Sequence, residues 1–243
     1  MLTRANLEQF TKQKQTKLDN VVREYCQHLF LSFLYQQSKS EQLLFKGGTA
    51  LRIIFHSPRF SEDLDFTGVS ISLREVEEMF VNTLASIEKT GVVDVALKEG
   101  KPTTGGYLGA IEFNVYGRKV EVYFEASLRN SKSVKGVSAL IENDYIPAYT
   151  LVHLPEDKII QGKIEALTAR QKPRDFYDYF FLLSGNHPAA KKKINLISVL
   201  KLLRESKINF RNELREFLPA SQAMHLKDFK KALERKILTM GIK

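Results

Sequence analysis

The chain has 243 residues, of which 43% are hydrophobic and 27% are charged, as expected for a globular protein with one large or two modest domains. It lacks an apolar run of about 18 residues and begins with a polar segment, so we expect no membrane helix or secretory signal and predict a cytoplasmic protein. A single cysteine excludes an internal disulfide, and a net charge of +9 favours polyanionic partners.

The first strong pattern is an apolar series from 18 to 33 at helical spacing, which predicts an amphipathic helix. A short apolar run at 43–45 then leads into Gly47 and Gly48, and helical periodicity resumes after Thr49. This order predicts a strand, a turn and a helix. Backbone N–H groups at such a helix N-terminus could cradle a phosphate, although a plain turn is the alternative.

The next segment predicts a strand with an acidic face. Asp63 and Asp65 alternate with Leu64 and Phe66, so both carboxylates point to the same side. Carboxylate oxygens are preferred ligands of Mg²⁺, and two on one face could hold one ion or bridge two. Ser61 could add a hydroxyl donor. The alternative is an exposed strand face without a metal.

A predicted β-hairpin supplies a further carboxylate. Strands at 109–115 and 118–124 join through a two-residue turn, which pairs Glu112 with Glu121. Like charges in this position destabilise a sheet unless a cation lies close by. A metal-binding face would provide one, with Glu121 as the third carboxylate and Glu112 or Glu125 as the other candidates. Alternatively, Lys119, Arg118 or a shifted register relieves the repulsion.

Beyond about residue 150 the strand patterns stop and helical patterns follow. Pro173 suits the first turn of a helix that ends near Gly185. Positive charge recurs along the last helices, which indicates solvated helix faces or, alternatively, a nucleic-acid surface. We therefore predict an α+β protein, with an α/β domain over 1–150 and a helical domain over 151–243 that carries a basic surface.

The helical half contains a second group of charged residues. Lys163 and Arg170 share one helical stripe, and Asp175 and Asp178 share a face of the next helix. This spacing fits either an active-site wall or a network of ion pairs between helices. The nearby aromatic residues are interpreted as core, with base stacking by one tyrosine as the alternative: Tyr177, Tyr179, Phe180 and Phe181.

Together, KGGTALR at 46–52, SEDLDF at 61–66 and KIEALTARQKPRDFYDYFFLL at 163–183 resemble the AbiEii/AbiGii family of toxin nucleotidyltransferases, which includes the MenT toxins. The resemblance implies a polymerase-β-like nucleotidyltransferase core, with a mixed sheet and flanking helices, followed by a helical bundle domain. It also implies magnesium as the cofactor and an NTP as the substrate.

The resemblance also implies roles for individual residues. Gly48 and Ser61, with Gly47 and Thr49 beside them, would contact the phosphates of the nucleotide. The metal would be held by Asp63 and Asp65, and Lys163 would hold the triphosphate or the transition-state charge. The remaining predicted residues would complete the cleft: Arg170, Arg174, Asp175 and Asp178. One departure from the family pattern is Gly162, directly before Lys163.

The function implied is that of the toxin in a type IV toxin–antitoxin or abortive-infection system. Such an enzyme would transfer NMP from an NTP to an acceptor, with the tRNA 3′ end as the candidate acceptor and a cognate antitoxin as a candidate partner. Two alternatives stay open. One is a nucleotidyltransferase that modifies a small molecule such as an antibiotic, and the other is a catalytically silent module that binds a nucleotide or RNA.

Overall fold

A computed structural model describes residues 2–129 and 134–241. These residues form two compact units. The first unit runs to His56 and resumes from Phe60 to Pro155, whereas the second takes Ser57–Arg59 together with the chain from Glu156 onward. Within the described ranges, none of the helices combines the length and the apolar composition of a membrane-spanning segment.

The first unit is built on a mixed sheet of seven strands. In chain order these are β1 (Leu43–Lys46), β2 (Asp63–Gly68), β3 (Asp94–Thr103), β4 (Gly106–Val115), β5 (Arg118–Ser127), β6 (Val137–Ile141) and β7 (Tyr149–His153). The helices described here are α1 (Arg4–Gln13), α2 (Leu18–Leu34), α3 (Gly47–Ile53) and α4 (Leu73–Lys89), with a 3₁₀ turn at Ser40–Gln42. Across the sheet the order is β3-β4-β5-β2-β1-β7-β6; among these described strands the β2–β5 and β1–β7 pairs are parallel and the other neighbouring pairs are antiparallel.

The β4–β5 hairpin has the predicted register. Tyr116 and Gly117 form its turn with φ values of 52° and 81°, the conformation that two-residue hairpin loops favour. Val115 pairs with Arg118 directly beside the turn. The predicted capping box at the start of α4 is also present. Local turn and cap signals therefore position both elements as the sequence predicts.

Helices α2 and α4 pack on one face of the sheet. Phe124 of β5 lies 5.8 Å from the ring of Phe30 on α2 and 5.0 Å from that of Phe80 on α4. The ring of Phe66 on β2 lies 5.0 Å from that of Phe124, and all four side chains are fully buried. Residues alternate between the two faces of a strand, so the neighbours of these phenylalanines along β2 and β5 point to the opposite, polar face.

In the first unit, the sequence patterns do not predict helix α1 or strands β6 and β7. Strand β7 ends at His153, slightly beyond the point where strand signals were expected to stop. It pairs in parallel with β1, far away in the sequence. The Tyr35 hydroxyl lies 2.6 Å from the carbonyl of Leu43 and 2.7 Å from that of Val152, which links the two strands.

The second unit is helical among its described residues. Its α-helices are α5 (Glu156–Arg170), α6 (Pro173–Ser184), α7 (Lys193–Glu205), α8 (Phe210–Leu214), α9 (Ala220–Ala223) and α10 (Phe229–Leu238), with 3₁₀ turns at Pro188–Lys191 and Met224–Asp228. Pro173 occupies the first turn of α6 and Gly185 caps its end, as predicted. The α+β class, with a mixed sheet followed by helices, is thus confirmed.

Candidate active site

The two aspartates of β2 lie on the polar face of the sheet. Asp63 and Asp65 are partly exposed, whereas Leu64 and Phe66 between and after them are fully buried. This alternation confirms that both carboxylates belong to one face. Lys46 of β1 pairs in register with Asp65, which brings an ammonium group to the same face.

Gly47 is required by the position of Asp65. The glycine has a φ of +85°, a conformation that side chains disfavour. A Cβ built at this position would lie 1.9 Å from Oδ2 of Asp65. The glycine pair is therefore more than a turn, because the carboxylate occupies the space where any side chain at position 47 would lie.

Thr49 connects α3 to the aspartate strand. Its side chain is fully buried, and its hydroxyl donates a hydrogen bond to the backbone carbonyl of Asp63. The hydroxyl thus positions β2, so the predicted phosphate contact of Thr49 would come from its backbone N–H. Gly48, the other predicted phosphate contact on α3, is also buried.

The segment that enters β2 is held by residues of α2 and α3. Gln27 donates a hydrogen bond of 3.0 Å to the carbonyl of Ser61, the predicted phosphate contact. The Arg52 guanidinium lies 3.7 Å from the centre of the Phe60 ring and is bound to Glu24 at 2.6 Å. Sequence reasoning missed these supporting residues. The available signal was a glutamate and a glutamine among the apolar residues of α2, where both are buried.

The third carboxylate is better represented by Glu125 than by Glu121. In the parallel β2–β5 pair, Asp65 is in register with Glu125 and Asp63 with Tyr123. Glu121 lies two residues before Tyr123, and its Oε2 accepts a hydrogen bond of 2.6 Å from the Tyr123 hydroxyl. We therefore replace the predicted Glu121 by Glu125 as the candidate.

Glu112 is satisfied by lysines. It pairs with Glu121 as predicted, but its carboxylate lies 2.8 Å from Nζ of Lys119 and 3.6 Å from Nζ of Lys98. These cations relieve the like-charge repulsion from which a metal site was inferred. The hydrogen bond and charge of Lys119 also lower the pKa of Glu112. The argument for a metal from this pair therefore does not hold.

The donor set on β2 fits magnesium. Within residues 2–129 and 134–241, no three His, Cys, Asp or Glu side chains form a cluster able to hold a metal ion. Magnesium does not require such a cage, since it is commonly bound by one or two carboxylates together with substrate phosphates and waters. Asp63 and Asp65 provide two carboxylates on one face.

In the second unit, Lys163 belongs to a buried charged triad. Asp178 binds Arg59 through two hydrogen bonds of 2.7 and 2.9 Å and accepts another of 2.8 Å from Nζ of Lys163. The three residues are 8% exposed or less. Burial alone would raise the pKa of Asp178, but the two cations lower it to about 2. The predicted Lys163 and Asp178 are thus brought together, and Arg59 is a member that sequence reasoning missed.

Asp175 caps α6 and binds Arg170. The guanidinium contacts both carboxylate oxygens at 2.9 and 2.7 Å, and the backbone N–H of Lys172 donates to one of them at 3.2 Å. Asp175 and Asp178 are each 1% exposed. The oxygens of both carboxylates are bound by arginine or lysine side chains, so we infer that these aspartates position the cations, in place of the predicted direct role in catalysis.

Arg174 has an unsatisfied donor. Its Nε is buried and has no hydrogen-bond partner among the described residues. A buried donor without a partner costs about 1–3 kcal/mol, which a phosphate oxygen would relieve. Gly162, the departure from the family pattern, has no neighbouring atom within 4 Å of a built Cβ, so packing does not require a glycine there.

Tyr177 and Tyr179 belong to the core of the second unit. They are 5% and 1% exposed, and the Tyr179 hydroxyl donates to the carbonyl of Ala190 at 3.0 Å. Tyr177 stacks on Phe229 with ring centres 5.8 Å apart. The core interpretation is confirmed, and base stacking by either tyrosine is excluded by burial.

Comparison with known proteins identifies the family. A model of the nucleotidyl transferase AbiEii toxin family of type IV toxin–antitoxin systems matches residues 29–240. The chain belongs to this family. The match includes the aspartates of β2, the glycine pair and the Lys163 helix, so the AbiEii resemblance inferred from the motifs is confirmed. A search of curated proteins found no significant match.

Solved structures support the AbiEii fold at low sequence identity. MenT4, a nucleotidyltransferase toxin from Mycobacterium tuberculosis, has a TM-score of 0.66 at 18% identity and covers 100% of this chain and 91% of its own. JHP933 from Helicobacter pylori has a TM-score of 0.65 at 18% identity, with 93% of each chain covered. At 18% identity these similarities establish the fold, and they assign no role to individual residues.

Proposed function

We propose that this AbiEii protein transfers NMP from an NTP to the 3′ end of an RNA, with tRNA as the candidate, as the toxin of a type IV system. One observation carries the proposal: Asp63 and Asp65 share the polar face of β2, and the Asp65 carboxylate lies where any side chain on Gly47 would be. This places two acidic groups beside a helix N-terminus that is free of side chains.

In this proposal, Asp63 and Asp65 hold magnesium, with Glu125 as the next acidic group on the same face. When bound, magnesium neutralises the triphosphate oxygens and lowers the cost of charge that develops during transfer. Lys46 contributes an ammonium beside Asp65, and the first N–H groups of α3 point toward the phosphates. Ser61 adds a hydroxyl just before the strand.

The cations of the second unit have proposed roles toward phosphate. The hydrogen bond of 2.8 Å to Asp178 fixes the position of the Lys163 ammonium group, which would bind negative charge on the nucleotide. The unsatisfied Nε of Arg174 suits a phosphate oxygen. Arg170 keeps part of its side chain exposed while binding Asp175, so it is positioned by that carboxylate.

The distribution of charge supports RNA as the acceptor. Residues 190–243 contain 14 Lys and Arg against 5 Asp and Glu, a difference of nine that equals the net charge of the whole chain. Lys192, Lys193 and Lys201 are exposed there. Lysines on this surface would bind RNA by counterion release, which makes affinity strongly dependent on salt. A cytoplasmic location and a cognate antitoxin are parts of the same proposal.

The activity is tested with purified protein, magnesium, total tRNA and each NTP labelled at the α-phosphate. We expect label in RNA with wild-type protein and none with Asp63→Asn. Growth arrest on expression should be relieved by the same substitution. Label on a small molecule instead of RNA would favour the antibiotic-type alternative, and growth arrest that persists in Asp63→Asn would favour a binding module.

The RNA surface is tested by charge reversal of exposed lysines. Lys192→Glu, Lys193→Glu and Lys201→Glu together should weaken RNA binding and reduce the slope of log affinity against log salt by about 0.7 for each lost single-strand phosphate contact. An unchanged slope would place the RNA elsewhere.

A further inference from the structure

Tyr123 is an exposed aromatic side chain within the acidic face of the first unit. It lies on β5, in register with Asp63 of β2 on one side and with Ala110 of β4 on the other. The side chain is 38% exposed, in contrast to the fully buried phenylalanine that follows it on the strand. A ring at this position is a direct neighbour of one of the two aspartates assigned to the metal.

The ring is held in place by its hydroxyl. The Tyr123 hydroxyl donates a hydrogen bond of 2.6 Å to Oε2 of Glu121. A tethered tyrosine loses little conformational entropy when a ligand covers its ring, which is why such residues are effective binding surfaces. The small Ala110 beside it leaves the ring without a bulky neighbour on that strand.

The charges around the ring favour a base over a phosphate. Glu121 accepts the hydroxyl hydrogen bond of Tyr123, so a carboxylate lies at the edge of the ring. This carboxylate would repel a phosphate. A nucleobase carries no net charge and stacks on an aromatic face. Its amino groups can also donate hydrogen bonds to carboxylates.

Two bases are present in the proposed reaction, that of the NTP and the terminal base of the RNA acceptor. The positions of the strands indicate which of them Tyr123 contacts. This assignment rests on the proposed function, in which the triphosphate lies at Gly47, directly after Lys46 of β1. Strand β1 lies on one side of β2, whereas Tyr123 lies on β5, on the other side of β2 and next to Asp63. In phosphoryl-type transfer the attacking and leaving oxygens are roughly in line, so the acceptor approaches opposite the pyrophosphate.

We propose that Tyr123 stacks on the unpaired terminal base of the RNA acceptor. This stacking positions the terminal hydroxyl of the RNA for attack beside Asp63. Stacking of a base on an aromatic side chain is worth about 1–3 kcal/mol by alanine substitution. The ligand class is therefore a single-stranded RNA end, bound through its base at this residue.

The absence of tryptophan from the sequence allows a direct test. Tyr123→Trp in the full chain provides a single tryptophan, whose fluorescence is measured. The protein is titrated with a short single-stranded RNA, a blunt RNA duplex of the same sequence, and NTP alone. We expect saturable quenching by the single strand and none by the duplex or by NTP. Quenching by NTP alone, or by none of the three, would overturn the assignment.

Affinity measurements supply the second readout. Tyr123→Ala should weaken single-stranded RNA binding about 5- to 150-fold and leave the KM for NTP unchanged, whereas Tyr123→Phe should stay within about threefold of wild type. Tyr116→Ala is the matched control, because this tyrosine is 52% exposed at the hairpin turn, away from the aspartates. Equal RNA affinity in Tyr123→Ala and wild type would refute the stacking role.

The two proposals fail separately. A Tyr123→Trp protein that labels RNA but shows no quenching by RNA refutes the stacking assignment and leaves the transferase activity standing. A wild-type protein that labels no acceptor refutes the proposed function itself.

Discussion

Replacing Gly47 by alanine isolates the contact that links the glycine pair to the aspartate strand. The new Cβ would lie 1.9 Å from Oδ2 of Asp65, far inside van der Waals contact, so the carboxylate must move. The backbone is also strained, because a left-handed alanine costs about 1–2 kcal/mol relative to glycine. We expect a modest loss of stability and a large loss of activity.

Gly117→Ala provides a matched control. Gly117 has a φ of +81°, close to the +85° of Gly47, but a Cβ built there meets no atom within 4 Å. Gly117→Ala should lose about 1–2 kcal/mol in urea unfolding because it places alanine in the left-handed region, and Gly47→Ala should lose at least as much because it also displaces the Asp65 side chain. Only Gly47→Ala should lose NMP transfer, by roughly 100-fold, the effect of displacing a catalytic group by about 1 Å. Equal activity in the two variants would refute the proposed contact.

Three further predictions concern the carboxylates and a buried histidine. Glu125→Gln should reduce NMP transfer more than Glu121→Gln, and the reverse order in a kinetic assay would restore Glu121 as the third carboxylate. Asp178→Asn leaves two buried cations without their partner and should destabilise the protein by about 3–5 kcal/mol in urea unfolding, whereas the exposed Asp157→Asn should change little; equal stabilities would contradict the triad. Burial lowers the pKa of His28 from 6.5 to about 4, so the unfolded chain binds the proton first as the pH falls. The free energy of unfolding should therefore be about 2 kcal/mol lower at pH 5 than at pH 7, and a difference unaffected by His28→Gln would contradict this assignment.

Local signals in the sequence were sufficient for much of the first unit. The alternation around Asp63 and Asp65 gave the strand and its acidic face, and the two-residue turn at Tyr116 and Gly117 gave the hairpin register. Each depends on residues close together in the chain. The strand β7 was not predictable in this way, because its partner β1 lies about a hundred residues away and the two share one registered pair.

The same distinction explains the site residues. Arg59 binds Asp178 across 119 residues, so no local spacing connects them. The choice of Glu125 over Glu121 as the third carboxylate follows from the parallel β2–β5 pairing, a tertiary feature that the hairpin alone does not provide. The motif identified the residue types required for the chemistry, whereas the sheet order decides which carboxylate lies beside Asp65.

The most direct measurement compares an NTP labelled at the α-phosphate with the same NTP labelled at the γ-phosphate, each incubated with the protein, magnesium and RNA. Nucleotidyl transfer predicts that only the α-label appears in the RNA and that the γ-label is released in pyrophosphate. Transfer of the γ-label to the RNA, or an unchanged yield of α-labelled RNA when both Asp63 and Asp65 are replaced by asparagine, would contradict the account.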